Sequence, residues 1–149
     1  MARPTPHARG DYRHACAITT RWMDNDAYGH VNNVVYYAYF DTIVNEWLIR
    51  QGLLDVENGP LIGLVVETGC HYFEPLTYPE TVGAAMRVAH LGNSSVRYEI
   101  ALFGEGRDTA AAQGHFVHVY VDRETRRPVA LPQAWRAALA KLMPTGIAP

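Results

Sequence analysis

A segment of helical length that is apolar on nearly every side limits what this chain can fold into. The run VVYYAYFDTIVNEWLIRQG follows two candidate N-caps, Asn32 and Asn33, and ends at Gly52, a residue typical of the position after a helix. Its polar side chains leave only a narrow stripe, which comprises Asp41, Thr42, Asn45 and Glu46. We therefore predict a helix over residues 33–51 that other parts of the chain must cover on most sides.

Strand-like runs stand before and after this helix. Apolar residues alternate with polar or small ones over residues 13–22, 61–73, 82–91, 95–103 and 115–122. Short breaks rich in Gly, Pro and Asn separate the last four runs, which favours antiparallel pairing, since a parallel crossover needs a dozen or more residues. A short helix is predicted to start near Pro132. The expected fold class is α+β, with about five antiparallel strands wrapped around one long helix.

The composition is that of one globular domain. The chain has 149 residues, of which 48% are hydrophobic and 19% charged, so we expect a single domain over residues 1–149, with residues 1–12 as a disordered tail. A net charge of −2 gives no overall positive electrostatic field that would attract the phosphate backbone of a nucleic acid. No apolar run approaches the roughly 20 residues that cross a membrane. The N-terminal residues lack the apolar stretch of a secretory signal, so we expect a cytoplasmic location.

The loop before the helix carries the chemistry. Asp24, Asp26 and His30 lie within the decapeptide DNDAYGHVNN, directly ahead of the predicted helix. Backbone N–H groups in a helix's first turn have no intrahelical acceptor and carry the positive end of the dipole, so they can hold a developing oxyanion. A carboxylate facing the same pocket is able to attack a thioester carbonyl or to deprotonate water. For Asp24 a purely turn-forming role is the simpler interpretation.

The same segment resembles a known signature. The pattern DxDxxGHVNNxxYxxYF, which spans residues 24–40, resembles that of the hot-dog-fold acyl-CoA thioesterases, in the branch of 4-hydroxybenzoyl-CoA thioesterase and its bacterial relatives. Similarity extends over about residues 13–136. Plant-type acyl-carrier-protein thioesterases resemble the segment through HVNN, but Tyr28 replaces the Asn of their pattern and their second half is absent at this length.

The resemblance implies roles for individual residues. It makes Asp26 the catalytic carboxylate, as nucleophile or general base, and the backbone amide of Asn33 the donor that polarises the carbonyl. Further candidate pocket members are His30, Val31, Asn32 and Tyr36. No metal or other cofactor is expected. The implied protein is a cytoplasmic hydrolase of acyl-CoA that self-associates as a homodimer or, as a dimer of dimers, a homotetramer.

Two other functions stay open at this point. A hot-dog enoyl-CoA hydratase or dehydratase would pair a carboxylate with a histidine, as Asp26 and His30 permit, although the Asn-Pro of its motif is missing. A non-catalytic acyl-CoA-binding protein would keep the pocket without turnover. The acyl chain, the choice between CoA and acyl-carrier protein, and the arginines that hold phosphates stay open as well.

Overall fold

One long helix lies against a five-stranded antiparallel sheet, which confirms the predicted architecture. A computed structural model describes residues 3–144. The strands and helices are β1 (His14–Thr19), α1 (Val35–Arg50), β2 (Leu61–Tyr72), β3 (Thr81–Leu91), β4 (Ser95–Phe103), β5 (Ala112–Asp122) and α2 (Gln133–Ala140). The order across the sheet is β1-β3-β4-β5-β2, and every neighbouring pair is antiparallel. Strands β1 and β2 are therefore the two edges.

Helix α1 is covered on most of its surface, as its composition predicts. Its buried side chains are Tyr36, Tyr39, Phe40, Ile43, Val44, Trp47 and Leu48, while Asp41 and Thr42 are exposed. Phe40 reaches β5 at a glycine, because a Cβ on Gly114 would lie 2.8 Å from Phe40 Cε2. The missing side chain thus lets the helix approach the sheet closely.

The strands turn alternate residues toward α1. On β4 the alternate residues Val96, Tyr98, Ile100 and Leu102 are all fully buried. On β5 the face that carries His118 and Tyr120 is buried, whereas Val117 and Val119 are only partly buried. Strand β5 also begins at Ala112, three residues before the predicted start, since residues 112–114 pair with the end of β2.

The start of α1 differs from the sequence prediction. Neither Asn32 nor Asn33 is the N-cap, because the helix begins at Val35. The N-cap position is occupied by Val34, which has no side-chain capping bond. Asn32 Oδ1 accepts a hydrogen bond from the Val34 N–H at 3.0 Å instead. The asparagine therefore closes a turn just ahead of the helix.

The N-terminal segment, for which the sequence favours disorder, packs on the face of the sheet opposite α1. Ala8 bridges to Thr109, and residues 9–11 form a short 3-10 helix. Tyr12 is buried in a small second core with Ala85, Ala101, Phe103 and Ala110. One tyrosine and several backbone hydrogen bonds thus hold a segment that has little apolar content of its own.

Strand β2 leaves apolar side chains uncovered along its free edge. Leu64, Val65 and Val66 are 41%, 46% and 59% exposed, and the pairing with β5 is irregular between Val65 and Glu67.

Within residues 3–144, no helix has the length and apolar character required to span a membrane.

Candidate active site

A cleft of about 460 Å³ opens where the loop before α1 meets the end of β2. One wall contains Asp26, Tyr28, His30, Val31, Asn33 and Tyr36, and the other contains Tyr72, Phe73, Glu74 and Pro75. The structure thus brings together five of the six residues that the sequence places at the site. The sixth, Asn32, does not line the cleft but closes the turn beside it.

Asp26 sits in a tight turn that leaves part of its carboxylate available. Its Oδ1 accepts the Tyr28 N–H at 2.8 Å, its N–H donates to the His30 carbonyl at 2.9 Å, and its carbonyl accepts the Gly29 N–H at 3.1 Å. Gly29 has a φ of +81°, a conformation that glycine adopts without strain. Within the described residues no group bonds to Asp26 Oδ2. One oxygen holds the turn and the other is open to a ligand in the cleft.

The backbone amide of Asn33 is also unpaired within residues 3–144. The groups around it are all engaged: the Asn32 N–H donates to the Asp24 carbonyl at 2.9 Å and the Val35 N–H to the Asn32 carbonyl at 2.9 Å. Because Asn33 stands two residues before the first residue of α1, its N–H lies at the positive end of the helix dipole. It is a donor that a developing negative charge in the cleft can use.

Asp24 anchors the loop and is closed to solvent. Its carboxylate is 1% exposed and accepts hydrogen bonds from the Tyr39 hydroxyl at 2.7 Å and the Arg21 N–H at 2.9 Å, with the Arg21 guanidinium 3.1 Å away. Burial alone would raise the pKa of Asp24, but these hydrogen bonds and the arginine charge outweigh it and lower that pKa. Asp24 is therefore an ionised structural group.

The loop is also fastened to residues 76–78, a set of contacts that sequence reasoning missed. The Val31 N–H donates to the Leu76 carbonyl at 2.7 Å, and the Thr77 hydroxyl donates to the Gly29 carbonyl at 2.7 Å. The Tyr78 N–H donates to Asn25 Oδ1 at 3.0 Å. Partners about 50 residues apart carry no local pattern, so no sequence signal identifies them.

The second wall of the cleft is formed by residues that the sequence alone does not indicate as part of the site. Tyr72 ends β2, and Phe73, Glu74 and Pro75 follow it. The Tyr72 ring meets the buried Tyr36 ring edge to face, with ring centroids 4.9 Å apart. The aromatic pair Tyr72 and Phe73 is visible in the sequence, but nothing there shows that this strand end faces the start of α1.

Metal and thiol chemistry have no visible basis in the described part of the chain. Residues 3–144 contain no group of three or more His, Cys, Asp or Glu side chains able to hold a metal ion. Cys16 and Cys70 are free and partly buried, and burial raises the pKa of each thiol to about 11. Both cysteines therefore stay protonated near neutral pH.

Comparison with known proteins identifies the family. The model of the thioesterase-like superfamily matches residues 20–139. The PA5185 protein of Pseudomonas aeruginosa is 54% identical, with a TM-score of 0.92 over 96% of this chain and 100% of that one. No curated protein sequence matches the chain.

Two further solved structures share the fold. A thioesterase from Thermus thermophilus, solved with coenzyme A and Zn, is 29% identical, with a TM-score of 0.71 over 87% of this chain and 93% of that one. The DHNA-CoA thioesterase of Staphylococcus aureus is 19% identical, with a TM-score of 0.74 over 85% of this chain and 86% of that one. The chain therefore belongs to the thioesterase-like superfamily of hot-dog fold, and it is a thioester hydrolase.

Proposed function

We propose that this enzyme hydrolyses acyl-CoA to the free acid and CoA, with Asp26 as its catalytic carboxylate and the Asn33 amide as its oxyanion donor. One observation carries the proposal. Asp26, with one carboxylate oxygen free of hydrogen bonds, and Asn33, with an unpaired N–H just before a helix, line the same cleft within the described residues. These are the two groups that acyl transfer to water requires, one to attack or to activate water and one to stabilise the oxygen that becomes negative.

Two routes fit this pair of groups. As a nucleophile, Asp26 attacks the thioester carbonyl, the C–S bond breaks, the CoA thiolate takes a proton from solvent, and water then hydrolyses the mixed anhydride. As a base, Asp26 takes a proton from water, which attacks the carbonyl directly, and that proton passes to the departing thiolate. In both routes negative charge grows on the carbonyl oxygen beside the Asn33 N–H, and Asp26 ends as a carboxylate.

The identity of the thiol rests on a related structure. The Thermus thioesterase, which is 29% identical, was solved with coenzyme A. The cleft is open to solvent on the side of Tyr28, whose side chain is 87% exposed, so a long pantetheine arm is able to reach it. We therefore propose CoA as the leaving group.

We also propose that two chains associate along β2. This strand has a free edge with exposed Leu64, Val65 and Val66, and an uncovered apolar edge strand tends to pair with another strand. Since Tyr72 at the end of β2 lines the cleft, a partner on this edge would lie next to the active site. A dimer of such dimers would give a homotetramer.

A hydratase is the second candidate, because His30 lines the cleft with Asp26. Such an enzyme would add water across the double bond of 2-enoyl-CoA and leave the thioester intact. An assay of 2-enoyl-CoA that follows both loss of the double bond and release of thiol separates the two reactions. Hydration without thiol release would overturn the thioesterase proposal.

The main test compares thiol release from a panel of aromatic, short-chain and long-chain acyl-CoAs. We expect the wild type to cleave at least one class and Asp26→Asn to lose most activity, at least 100-fold in kcat. The matched control is Asp41→Asn, which makes the same change on the exposed stripe of α1. If no thioester is cleaved, or if Asp26→Asn keeps full activity, the proposal is wrong.

The choice between the two routes has its own experiment. In a single turnover in H₂¹⁸O, the nucleophilic route places label in the Asp26 carboxylate whenever water attacks the aspartyl carbon of the anhydride. Direct attack of water places label only in the product acid. Label in the Asp26 peptide, detected by mass spectrometry, establishes the nucleophilic route. Label in the product acid alone results both from direct attack and from attack of water on the acyl carbon of the anhydride.

A further inference from the structure

A tyrosine on β2 contacts the residue that carries the proposed oxyanion donor. The hydroxyl of Tyr72 donates a 3.0 Å hydrogen bond to the carbonyl oxygen of Asn33. The two residues are 39 positions apart, and Tyr72 belongs to the sheet while Asn33 belongs to the loop before α1. This bond directly joins the end of β2 to the proposed catalytic loop.

The Asn33 N–H depends on its two flanking peptide groups for its direction. The peptide plane that contains it also contains the Asn32 carbonyl, which accepts the Val35 N–H at 2.9 Å. The next peptide plane joins the Asn33 carbonyl to the Val34 N–H. The Val34 N–H donates to Asn32 Oδ1 at 3.0 Å, and among the described residues the only partner of the Asn33 carbonyl is the Tyr72 hydroxyl. Without that hydroxyl, only a side chain of the same loop holds the second plane, so the plane can tilt and change the backbone conformation of Asn33.

Tyr72 is well placed to act as a fixed support. Its backbone pairs with Ala112 of β5, and its carbonyl accepts a hydrogen bond from the Arg3 guanidinium. Its ring packs on Tyr36, which is 3% exposed. Burial, together with the neighbouring Cys70, raises the pKa of the Tyr72 hydroxyl, so it stays a donor at working pH.

From these contacts we infer that Tyr72 is a positioning residue that directs the Asn33 amide at the thioester oxygen. The inference rests on the proposed function and adds to it a residue that need not touch the reacting atoms. Asn32 continues to hold the first peptide plane, so losing the Tyr72 hydroxyl should misdirect the donor rather than remove it. A complete loss of an oxyanion donor costs about 10²–10³ in kcat, and we expect a smaller effect here, about 10-fold.

The test is Tyr72→Phe, which keeps the ring and removes only the hydroxyl. With the acyl-CoA that the wild type cleaves fastest, we expect kcat to fall about 10-fold while KM stays within about 2-fold. The control is Tyr12→Phe, which removes a 2.8 Å hydrogen bond to His7 on the other face of the sheet and should leave kcat unchanged. An unchanged kcat in Tyr72→Phe would overturn the inference.

Two inhibitors separate positioning from a purely structural role. A thioether analogue of the substrate has no carbonyl, whereas a trifluoromethyl ketone analogue adds water to its carbonyl and gives a tetrahedral hydrate, one oxygen of which takes the position of the oxyanion. We expect Tyr72→Phe to weaken the ketone about 10-fold and to leave the thioether unchanged. Equal weakening of both would mean that Tyr72 merely supports the cleft.

A readout without turnover keeps the inference distinct from the proposed function. The ¹H–¹⁵N resonance of Asn33 should shift or broaden in Tyr72→Phe and stay in place in Tyr12→Phe. If the wild type cleaves no thioester, the proposed function fails and this resonance alone decides whether Tyr72 orients the amide. An Asn33 resonance that does not change in Tyr72→Phe would refute the positioning role.

Discussion

The Tyr39 hydroxyl donates a 2.7 Å hydrogen bond to the buried carboxylate of Asp24, and this contact ties α1 to the loop that precedes it. The same carboxylate accepts the Arg21 N–H, and the Asp24 carbonyl accepts the Asn32 N–H. Asp24 therefore joins the end of β1, both ends of the loop before α1 and the second turn of the helix. Its place in the motif is explained by this junction rather than by a reaction.

Breaking the junction should cost stability. We expect Asp24→Asn and Tyr39→Phe each to lower the free energy of unfolding by about 1–3 kcal/mol, because each leaves a buried polar group short of a partner. Urea unfolding of both single variants and of the double variant measures this loss. The double variant should lose less than the sum of the two, and strict additivity would show that the two side chains do not interact.

A methyl group at Gly114 should be poorly tolerated. A Cβ there would lie 2.1 Å from the Gly69 carbonyl oxygen and 2.8 Å from Phe40 Cε2, so both β2 and α1 would have to move. We expect Gly114→Ala to destabilise the fold by about 1–3 kcal/mol or more in thermal or urea unfolding. The control is Gly10→Ala, where a Cβ meets nothing within 4 Å. Equal stability of the two variants would contradict the close packing of α1 on β5.

Stability should fall in mild acid because of His118. This side chain is 3% exposed, its Nε2 is buried without a hydrogen-bond partner within residues 3–144, and burial lowers its pKa to about 4. The unfolded chain takes up the proton near pH 6.5, so its contribution is complete above that pH and is lost as the pH falls toward 4. The loss from this one group is roughly 3 kcal/mol.

Urea unfolding at pH 7, 5 and 4 checks this expectation. His118→Phe keeps an aromatic ring among Tyr98, Phe116 and Tyr120 but cannot take up a proton. Its stability should decline less over this range than that of the wild type. The same decline in both proteins would assign the acid sensitivity to other groups, such as His14, whose pKa burial also lowers.

A charge on the free edge of β2 should prevent dimer formation. We expect Val66→Lys to elute as a monomer, because a lysine at the centre of a strand-to-strand contact is costly to desolvate. Size-exclusion chromatography with light scattering gives the mass. The control is Val56→Lys, since Val56 is 63% exposed in the loop before β2. A dimer that survives Val66→Lys would rule out this edge as the interface.

The sequence predicts the long helix and the strands well, because the periodic alternation of buried and exposed residues determines them. The near-continuous apolar surface of α1 and the alternation in β3 and β4 are local patterns, and each agrees with the structure. The conformation of the N-terminal segment depends instead on distant partners. The His7 N–H donates to Gln113 Oε1, 106 residues away, and no local sequence pattern indicates such a bond.

The same distinction between local patterns and contacts with distant residues applies to the candidate site. The motif indicates Asp26 and Asn33 because a carboxylate ahead of a helix is visible in the sequence. Tyr72 and the residues after it lie in the cleft only because β2 pairs with β5 at the sheet edge and ends beside the helix start. Their contribution requires the tertiary fold.

The two walls of the cleft come from separate parts of the chain, and this separation has a practical consequence. The loop with Asp26 and Asn33 is bonded to Asp24, Leu76 and Thr77, which do not line the cleft, and to Tyr72, which does. In the part of the chain that the structure describes, Phe73 and Glu74 on the opposite wall make no hydrogen bond to that loop. A designer who wants a different acyl group accepted can therefore mutate these two positions as a small library while leaving the proposed reacting groups in place.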